Sequence, residues 1–160
     1  MGLFDGYNVA TSGMSAQRTR INVVSANIAN AQTTHGLDGG PYKKQNVVFQ
    51  EILLDKQKEL DKKNGISKEN ILSGSGDSLP LNQTIGVGIK QILDAKTAPI
   101  LRYEPEHPDA NKDGYVAYPD INPVVEMTDL MEAMRSYEAN LSAFQTQKSM
   151  DTKVIDILKS

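Results

Sequence analysis

The sequence predicts an α+β fold, with a long helix at each end of the chain and a small antiparallel β domain inserted between them. Three observations lead to this prediction. Apolar or small residues recur every seven positions near both ends of the chain. All prolines but one lie between residues 34 and 122. The same central region contains short apolar segments bounded by turn residues, which is the pattern of β-strands.

The first helix is predicted from Leu3 to Ala31. Two registers of seven-residue spacing run through this segment and form one stripe, as in the seam of a coiled coil. One register holds Tyr7, Met14, Ile21 and Ile28, and the other holds Leu3, Ala10, Gln17, Val24 and Ala31. Gly13 and the β-branched pair at 23–24 lower the intrinsic helix propensity. We therefore expect this helix to need a packing partner.

The second helix is predicted to begin at Val124, directly after Pro123. Its registers hold Met127, Met134, Leu141, Lys148 and Ile155, and Leu130, Tyr137, Phe144, Asp151 and Leu158. Met131 lies outside both registers and widens the apolar band beyond what one partner helix covers. A pair of helices inside a monomer would explain the two registers, but it would not explain the wider apolar band. The wider band favours burial against neighbouring subunits, because an exposed band would be adhesive.

The central region, residues 34–123, is predicted to form the β domain. Strand candidates are Val47–Phe49, Ile85–Ile89, Ile100–Tyr103 and Tyr115–Tyr118. Residues 55–84 are mostly polar and include a run of serine and glycine, which predicts a flexible insertion.

Composition limits the functional classes. With 39% hydrophobic residues, three Phe and no Trp, the 160-residue chain has little material for a large core. The net charge is −3, with 17 basic and 20 acidic residues mixed along the chain. Without a basic face, nucleic-acid binding has no support. Lys43 and Lys44 are expected to be solvated.

Cysteine is absent, which excludes disulfides and thiolate chemistry. The N-terminal residues lack the basic and apolar pattern of a cleaved Sec signal peptide. No apolar stretch approaches the ~18 residues that a membrane span requires, so we expect no direct membrane insertion.

Residues 109–114 resemble the opening of an EF-hand calcium loop, with oxygen side chains at alternate positions before a glycine. Pro105 and Pro108 exclude an entering helix, and the twelfth position is Asp120 instead of Glu. Asp, Asn and Gly are also the residues of an ordinary tight turn. We favour a turn over a calcium site.

No other pattern predicts chemistry. His35 and His107 are far apart in loop-like sequence, and neither has the partners that a zinc or general-base site needs. The acidic residues of the last helix, Glu126, Asp129, Glu132 and Glu138, are expected to form a solvated helix face. We therefore predict that the chain is not an enzyme and has no catalytic, cofactor-binding or metal-binding residues.

Several segments together resemble a known family. Residues 25–33, Ser-Ala-Asn-Ile-Ala-Asn-Ala-Gln-Thr, are similar to the N-terminal signature of flagellar axial proteins. Residues 39–49, 107–119 and 126–150 resemble the basal-body rod proteins, in particular those of the proximal rod. Residues 35–38 depart from the family pattern, and the insertion near 55–84 has no counterpart in it.

The resemblance implies a structural subunit of the flagellar basal-body rod, needed for flagellum assembly and motility. Residues 1–33 and 124–160 would pair as an antiparallel coiled coil in an inner tube that transmits torque and provides an export channel. Residues 34–123 would lie outside this tube. The subunit would pass through the flagellar type III export apparatus into the periplasm. Its partners would be copies of itself and other rod proteins, assembled through the terminal helices.

The predicted assembly interface combines seam residues with residues of the family signatures. Its members are Tyr7, Met14, Ile21, Asn27, Ile28, Ala29, Asn30, Met127, Leu130, Met134, Arg135, Tyr137, Asn140, Leu141 and Phe144.

Overall fold

A computed structural model describes residues 5–36, 39–53 and 85–159 of the chain. Its elements are α1 (Asp5–Ala29), β1 (Gln45–Leu53), β2 (Ile85–Asp94), β3 (Ile100–Tyr103), β4 (Tyr115–Tyr118) and α2 (Pro123–Lys159). The predicted α+β class is confirmed, with a helix on each side of a small antiparallel β region. The predicted flexible insertion, residues 55–84, lies outside the described residues.

Local side-chain contacts define the inner ends of the two helices. At the end of α1, the Asn30 side-chain amide donates to the Ala26 carbonyl, and its oxygen accepts from Thr33. The Ala26 carbonyl also accepts the backbone bond from the Asn30 amide, so these side-chain bonds add to the backbone bonding at the helix end. Before α2, the Asn122 side chain accepts a hydrogen bond from the Val124 amide and so caps the helix. Proline follows at the first helical position, so α2 begins one residue earlier than the sequence predicts.

The two helices run antiparallel, and their facing residues follow a constant register. A Cβ added to Gly6 would meet Gln147, and one added to Gly13 would meet Asn140. Asn27 of α1 donates a hydrogen bond to Glu126 of α2. Each step of seven residues towards the end of α1 is thus matched by a step of seven towards the start of α2. We call the surface between the helices the seam.

The strands form two separate two-stranded antiparallel sheets, β1 with β2 and β3 with β4. The β1–β2 sheet contains a bulge between Val48 and Phe49. It also packs against α1, where the Val87 amide donates to the Ser12 hydroxyl. All four predicted strands are confirmed. The first and second are longer than predicted, because each continues along its partner beyond the apolar residues that signal it.

Among the described residues, the buried core is small and consists mainly of alanine and valine. Its apolar members are Ala10, Ala16, Val23 and Val24 of α1, Ala133 of α2, and Val116 and Ile121 of the β region. Small side chains let α1 lie close to its neighbours, but they bury little apolar area. Within the described residues, neither helix combines the length and hydropathy that crossing a bilayer requires.

Candidate assembly interface

A band of exposed apolar residues runs along one side of α2. We call this side the α2 flank; its residues are Val124, Met127, Met131, Met134 and Leu141. Their spacing of three, four or seven residues places them on one helix face. Each is between 37% and 71% exposed in the isolated chain. The flank is one part of the broad band that the sequence predicts, and it remains uncovered by the described part of the chain.

The seam side of α2 has a different composition from the flank. Leu130, Tyr137 and Phe144 belong to one of the two predicted registers, and they are half-buried. The other register on this side is Glu126, Ala133, Asn140 and Gln147, which contact or face α1. The predicted companion register, which begins with Met127, lies on the exposed flank instead. The structure thus separates the two apolar registers of α2 between two different surfaces.

Asn27 occupies the centre of a buried junction between α1, β1 and α2. Its side-chain nitrogen donates to the Gln45 carbonyl at 2.9 Å and to Glu126 Oε2 at 3.1 Å. Its oxygen accepts from the Gln45 amide at 2.9 Å and from the Tyr42 hydroxyl at 3.0 Å. With these two bonds, the Asn27 side chain pairs with the amide and the carbonyl of Gln45 as the backbone of a neighbouring strand would. An asparagine amide has two donors and two acceptor sites, and all four are used here.

Glu126 carries a carboxylate into this junction. It is only 1% exposed, and Lys44 Nζ lies 2.6 Å from its Oε1. Among the described residues no neutral donor bonds that oxygen, so the ion pair with Lys44 is what compensates its burial. The expectation of a solvated acidic face is wrong for Glu126, and the expectation of a solvated Lys44 is also wrong. Lys44 and Glu126 lie more than eighty positions apart in the sequence, so no local pattern signals their pairing.

Tyr42 completes the junction. Partial burial, with smaller contributions from the negative charges of Asp94 and Glu126, raises the pKa of its hydroxyl above the ordinary value of 10.0. The hydroxyl donates its hydrogen bond to the Asn27 oxygen.

At the far end of the seam, Tyr7 and Phe144 pack edge to face with ring centroids 5.0 Å apart. A hydrogen bond with Asp151, followed by burial and the Asp151 charge, raises the pKa of Tyr7. These contacts join two residues that the sequence places in the interface. Both belong to the seam inside one subunit.

The remaining predicted interface residues are divided among different surroundings. On α1, Met14, Ile21 and Ile28 are half-buried, while Ala29 is exposed and Asn30 caps the helix end. On α2, Arg135 is exposed on the side away from α1. Their participation in assembly stays a prediction, as does that of the buried Asn27.

The sequence analysis named Asn27 and Asn140 from the family resemblance, but it missed the polar register to which they belong. Gly6, Gly13, Arg20 and Asn27 repeat every seven residues, as do Glu126, Ala133, Asn140 and Gln147. This spacing is visible in the sequence, but a search for apolar residues passes over it. Small and polar residues at a heptad position predict close helix approach or hydrogen bonding across a seam.

Residues 109–114 form a turn, as favoured from the sequence. The Asn111 side-chain oxygen accepts hydrogen bonds from the amides of Asp113 and Tyr115, both at 2.9 Å. Gly114 has a φ of 80°, which other residues rarely adopt. The Asp109 carboxylate accepts a bond from Thr34 at 2.6 Å. Across residues 5–36, 39–53 and 85–159, no three His, Asp or Glu side chains converge as metal ligands.

Comparisons with known proteins identify relatives over nearly the whole chain. A family model described as Flagella basal body rod protein matches residues 8–36. One described as Flagellar basal body rod FlgEFG protein C-terminal matches residues 112–157. The flagellar basal-body rod protein FlgC of Borreliella burgdorferi is 37% identical, over 99% of both chains. FlgC of Bacillus subtilis is 37% identical, over 99% of this chain and 100% of its own, and FlgC of Salmonella typhimurium is 33% identical, over 98% of both.

Proposed function

Because the chain belongs to the family of flagellar basal-body rod proteins and is a structural subunit of that rod, we propose that it is held in the rod mainly through the α2 flank. The subunit acts in the basal body, together with other rod components, and serves motility. Its family is a structural one, and the proposed role requires no catalytic residue.

The observation that carries the proposal is the exposure of the α2 flank. Met127 and Met134 are each about half exposed, although they belong to the heptad pattern of the helix. Full burial of such a side chain is worth about 1.5–3 kcal/mol, so covering the exposed half of each contributes roughly 1 kcal/mol. The five residues lie on one face of the helix, so a single neighbouring subunit can cover all of them in one contact. Methionine adapts its shape readily, which suits contacts with several different partners.

In the proposed arrangement, the predicted domain division has a functional meaning. Residues 1–33 and 124–160 form a helical layer of the inner tube as a coiled coil, and residues 34–123 lie outside it. Neighbours are further copies of this chain and other rod proteins. A contact between different patches of adjacent subunits does not close on itself, and so it generates a helical rod.

The proposed route to the rod is the flagellar type III export apparatus, which delivers the subunit to the periplasm. The helices then gain stability as neighbours cover the flank. The modest aliphatic core and the glycines of α1 support this coupling of assembly to ordering, because the isolated helices have limited stability of their own.

A charge on the α2 flank tests the proposal. We expect Leu141→Asp to abolish incorporation into basal bodies, since a carboxylate buried without a partner costs a few kcal/mol. The measurements are swimming in soft agar and the subunit content of purified basal bodies, in cells where the variant replaces the native chain. The matched control is Thr146→Asp, which adds the same charge at an exposed position of α2 away from the flank.

Circular dichroism of the purified variant separates an assembly defect from unfolding. Leu141 is exposed in the isolated chain, so the variant should keep its helix and strand content. Normal swimming with Leu141→Asp would refute the assignment of the flank as the assembly surface.

A further inference from the structure

The seam between α1 and α2 combines two registers of different chemistry. By the register of the observed contacts, Leu130, Tyr137 and Phe144 lie opposite Val24, Gln17 and Ala10. The second register sets Asn27 against Glu126 and Gly13 against Asn140. It also brings Arg20 over the buried Ala133, within 3.7 Å of Asp129 and 3.9 Å of Glu132.

The first register cannot by itself fix how far one helix is shifted along the other. A slip of seven residues moves α2 by roughly 10 Å and places Tyr137 opposite Val24, or Leu130 opposite Gln17. Such slipped pairs bury side chains of much the same kind. Repeats of this kind are degenerate in register, and proteins remove the degeneracy with polar positions.

The second register does distinguish the alternatives. Either slip separates Asn27 from Glu126, and it also separates Glu126 from Lys44 because Lys44 precedes β1, which is bonded to Asn27. One slip also places Arg20 opposite Asn140, where the observed register has a glycine. The other slip again places a glycine, Gly6, opposite Asn140, so it is opposed by the loss of the Asn27–Glu126 contact alone. In the observed register, a Cβ at position 13 would lie only 2.8 Å from the Asn140 nitrogen, so this side chain fills the space that Gly13 leaves.

We propose that the polar contacts Asn27–Glu126 and Gly13–Asn140, and not the apolar register, determine the alignment of the terminal helices. This alignment determines where the α2 flank lies relative to α1 and the β sheets. The inference concerns the folded chain alone, and it holds whether or not the flank binds neighbouring subunits.

Cysteine pairs can measure the register, because the chain contains no cysteine of its own. In the native register, Gln17→Cys with Tyr137→Cys places two thiols opposite each other. Gln17→Cys with Phe144→Cys, and Gln17→Cys with Leu130→Cys, report slips of seven residues in the two directions. A short thiol cross-linker and mass spectrometry of the monomeric product give the yield of each pair. We expect the native pair to exceed both slipped pairs at least tenfold in the otherwise unchanged chain.

The test is the same measurement in a chain with Glu126→Leu and Asn140→Leu. These changes keep a side chain of similar size at each position but remove the polar partners, while Asn27 keeps its bonds to Gln45. We expect the helical content to be retained and at least one slipped pair to rise to a yield within threefold of the native pair. The control is Val24→Ala with Leu130→Ala, which weakens the apolar register and should still give only the native pair.

Two results would overturn the inference: slipped products in the unchanged chain, or native pairing alone in the doubly substituted chain. Should the double variant lose its helical content, Asn140→Leu alone provides the decision, because it leaves the junction around Asn27 intact. It should still raise the product of the Gln17→Cys and Phe144→Cys pair, which reports the slip that sets Asn140 against Arg20, at least threefold above the unchanged chain. Failure to do so would contradict the proposal.

Discussion

The two sides of α2 differ in composition. The side that faces α1 mixes Glu126, Asn140 and Gln147 with apolar residues, whereas the exposed flank consists of apolar residues such as Met127, Met131 and Met134. In a monomer the apolar side usually faces inward. The contrast indicates two separate tasks. Polar and small residues join the helices of one chain with geometric selectivity, and the apolar surface is left for neighbours.

The comparison would fail if the polar contacts of the junction contributed little to the free energy of unfolding of the subunit. Asn27→Ala removes four hydrogen bonds and leaves the Gln45 amide and carbonyl without their partner. We expect a loss of about 3 kcal/mol or more in the free energy of unfolding, because each buried unpaired group costs about 1–3 kcal/mol. Urea denaturation followed by circular dichroism measures this change. Asn30→Ala, which removes an amide at the half-buried helix end, should cost about 1 kcal/mol; equal losses would contradict the special role of Asn27.

A double-mutant cycle sharpens the comparison within the seam. Gly13→Ala raises the helix propensity by about 1 kcal/mol, but its new Cβ would lie 2.8 Å from the Asn140 nitrogen. The stabilisation should therefore appear in full only in the Asn140→Ala background. We expect a coupling energy of roughly 1 kcal/mol between the two sites from thermal or urea denaturation of the four proteins. Strictly additive effects would show that the two residues do not constrain each other.

Alkaline pH should weaken the polar side selectively. The pKa of Tyr42 is raised in the folded chain, so the unfolded chain ionises first as pH increases. The contribution of Tyr42 to the free energy of unfolding is fully present below pH 10. It is lost as the pH rises through the pKa of Tyr42 in the folded chain. Tyr42→Phe should cost about 1 kcal/mol at neutral pH, for the lost bond to Asn27, and reduce the alkaline loss.

Tyr7 and Tyr118, whose pKa values are also raised, should maintain part of this alkaline loss in the variant. Denaturation midpoints at neutral and alkaline pH provide the measurement. An unchanged alkaline slope in Tyr42→Phe would exclude a contribution from Tyr42.

The smallest effect on the subunit is expected on the flank. Met127→Gln with Met134→Gln replaces two half-exposed side chains by polar ones of similar length and helix propensity. The free energy of unfolding should change by less than about 0.5 kcal/mol. Incorporation into basal bodies should nevertheless fall severalfold, as measured by immunoblotting of purified basal bodies. A large loss of subunit stability would mean that the flank is covered within the chain itself.

Much of the fold could be predicted because its signals are local. Heptad spacing and Pro123 indicated both helices, and alternating apolar segments indicated the four strands. The partner of each strand, the bulge after Val48 and the full length of β2 depend on contacts between distant segments. No local pattern encodes such contacts, so these features could not be predicted.

The candidate interface, like the fold, could be predicted only in part. Its apolar residues could be found from spacing, but spacing alone does not reveal which register faces the partner helix. The answer depends on Glu126, a charged residue that hydrophobic patterning assigns to solvent and that Lys44 and Asn27 make tolerable in the interior. Buried polar groups are identified by their partners, and here these come from three separate segments.

The antiparallel register also has a consequence for the order in which the molecule folds. Asn27 bonds a residue 99 positions later, and Gly6 faces Gln147, so every contact across the seam has a very high sequence separation. On the ribosome, α1 emerges first and has no helical partner until almost the whole chain has been synthesised. High contact order slows folding because a large loop must close before its contacts form. The strands of the β1–β2 sheet are much nearer to each other in sequence. We therefore expect this sheet to form early and to provide a surface for α1 before α2 is available.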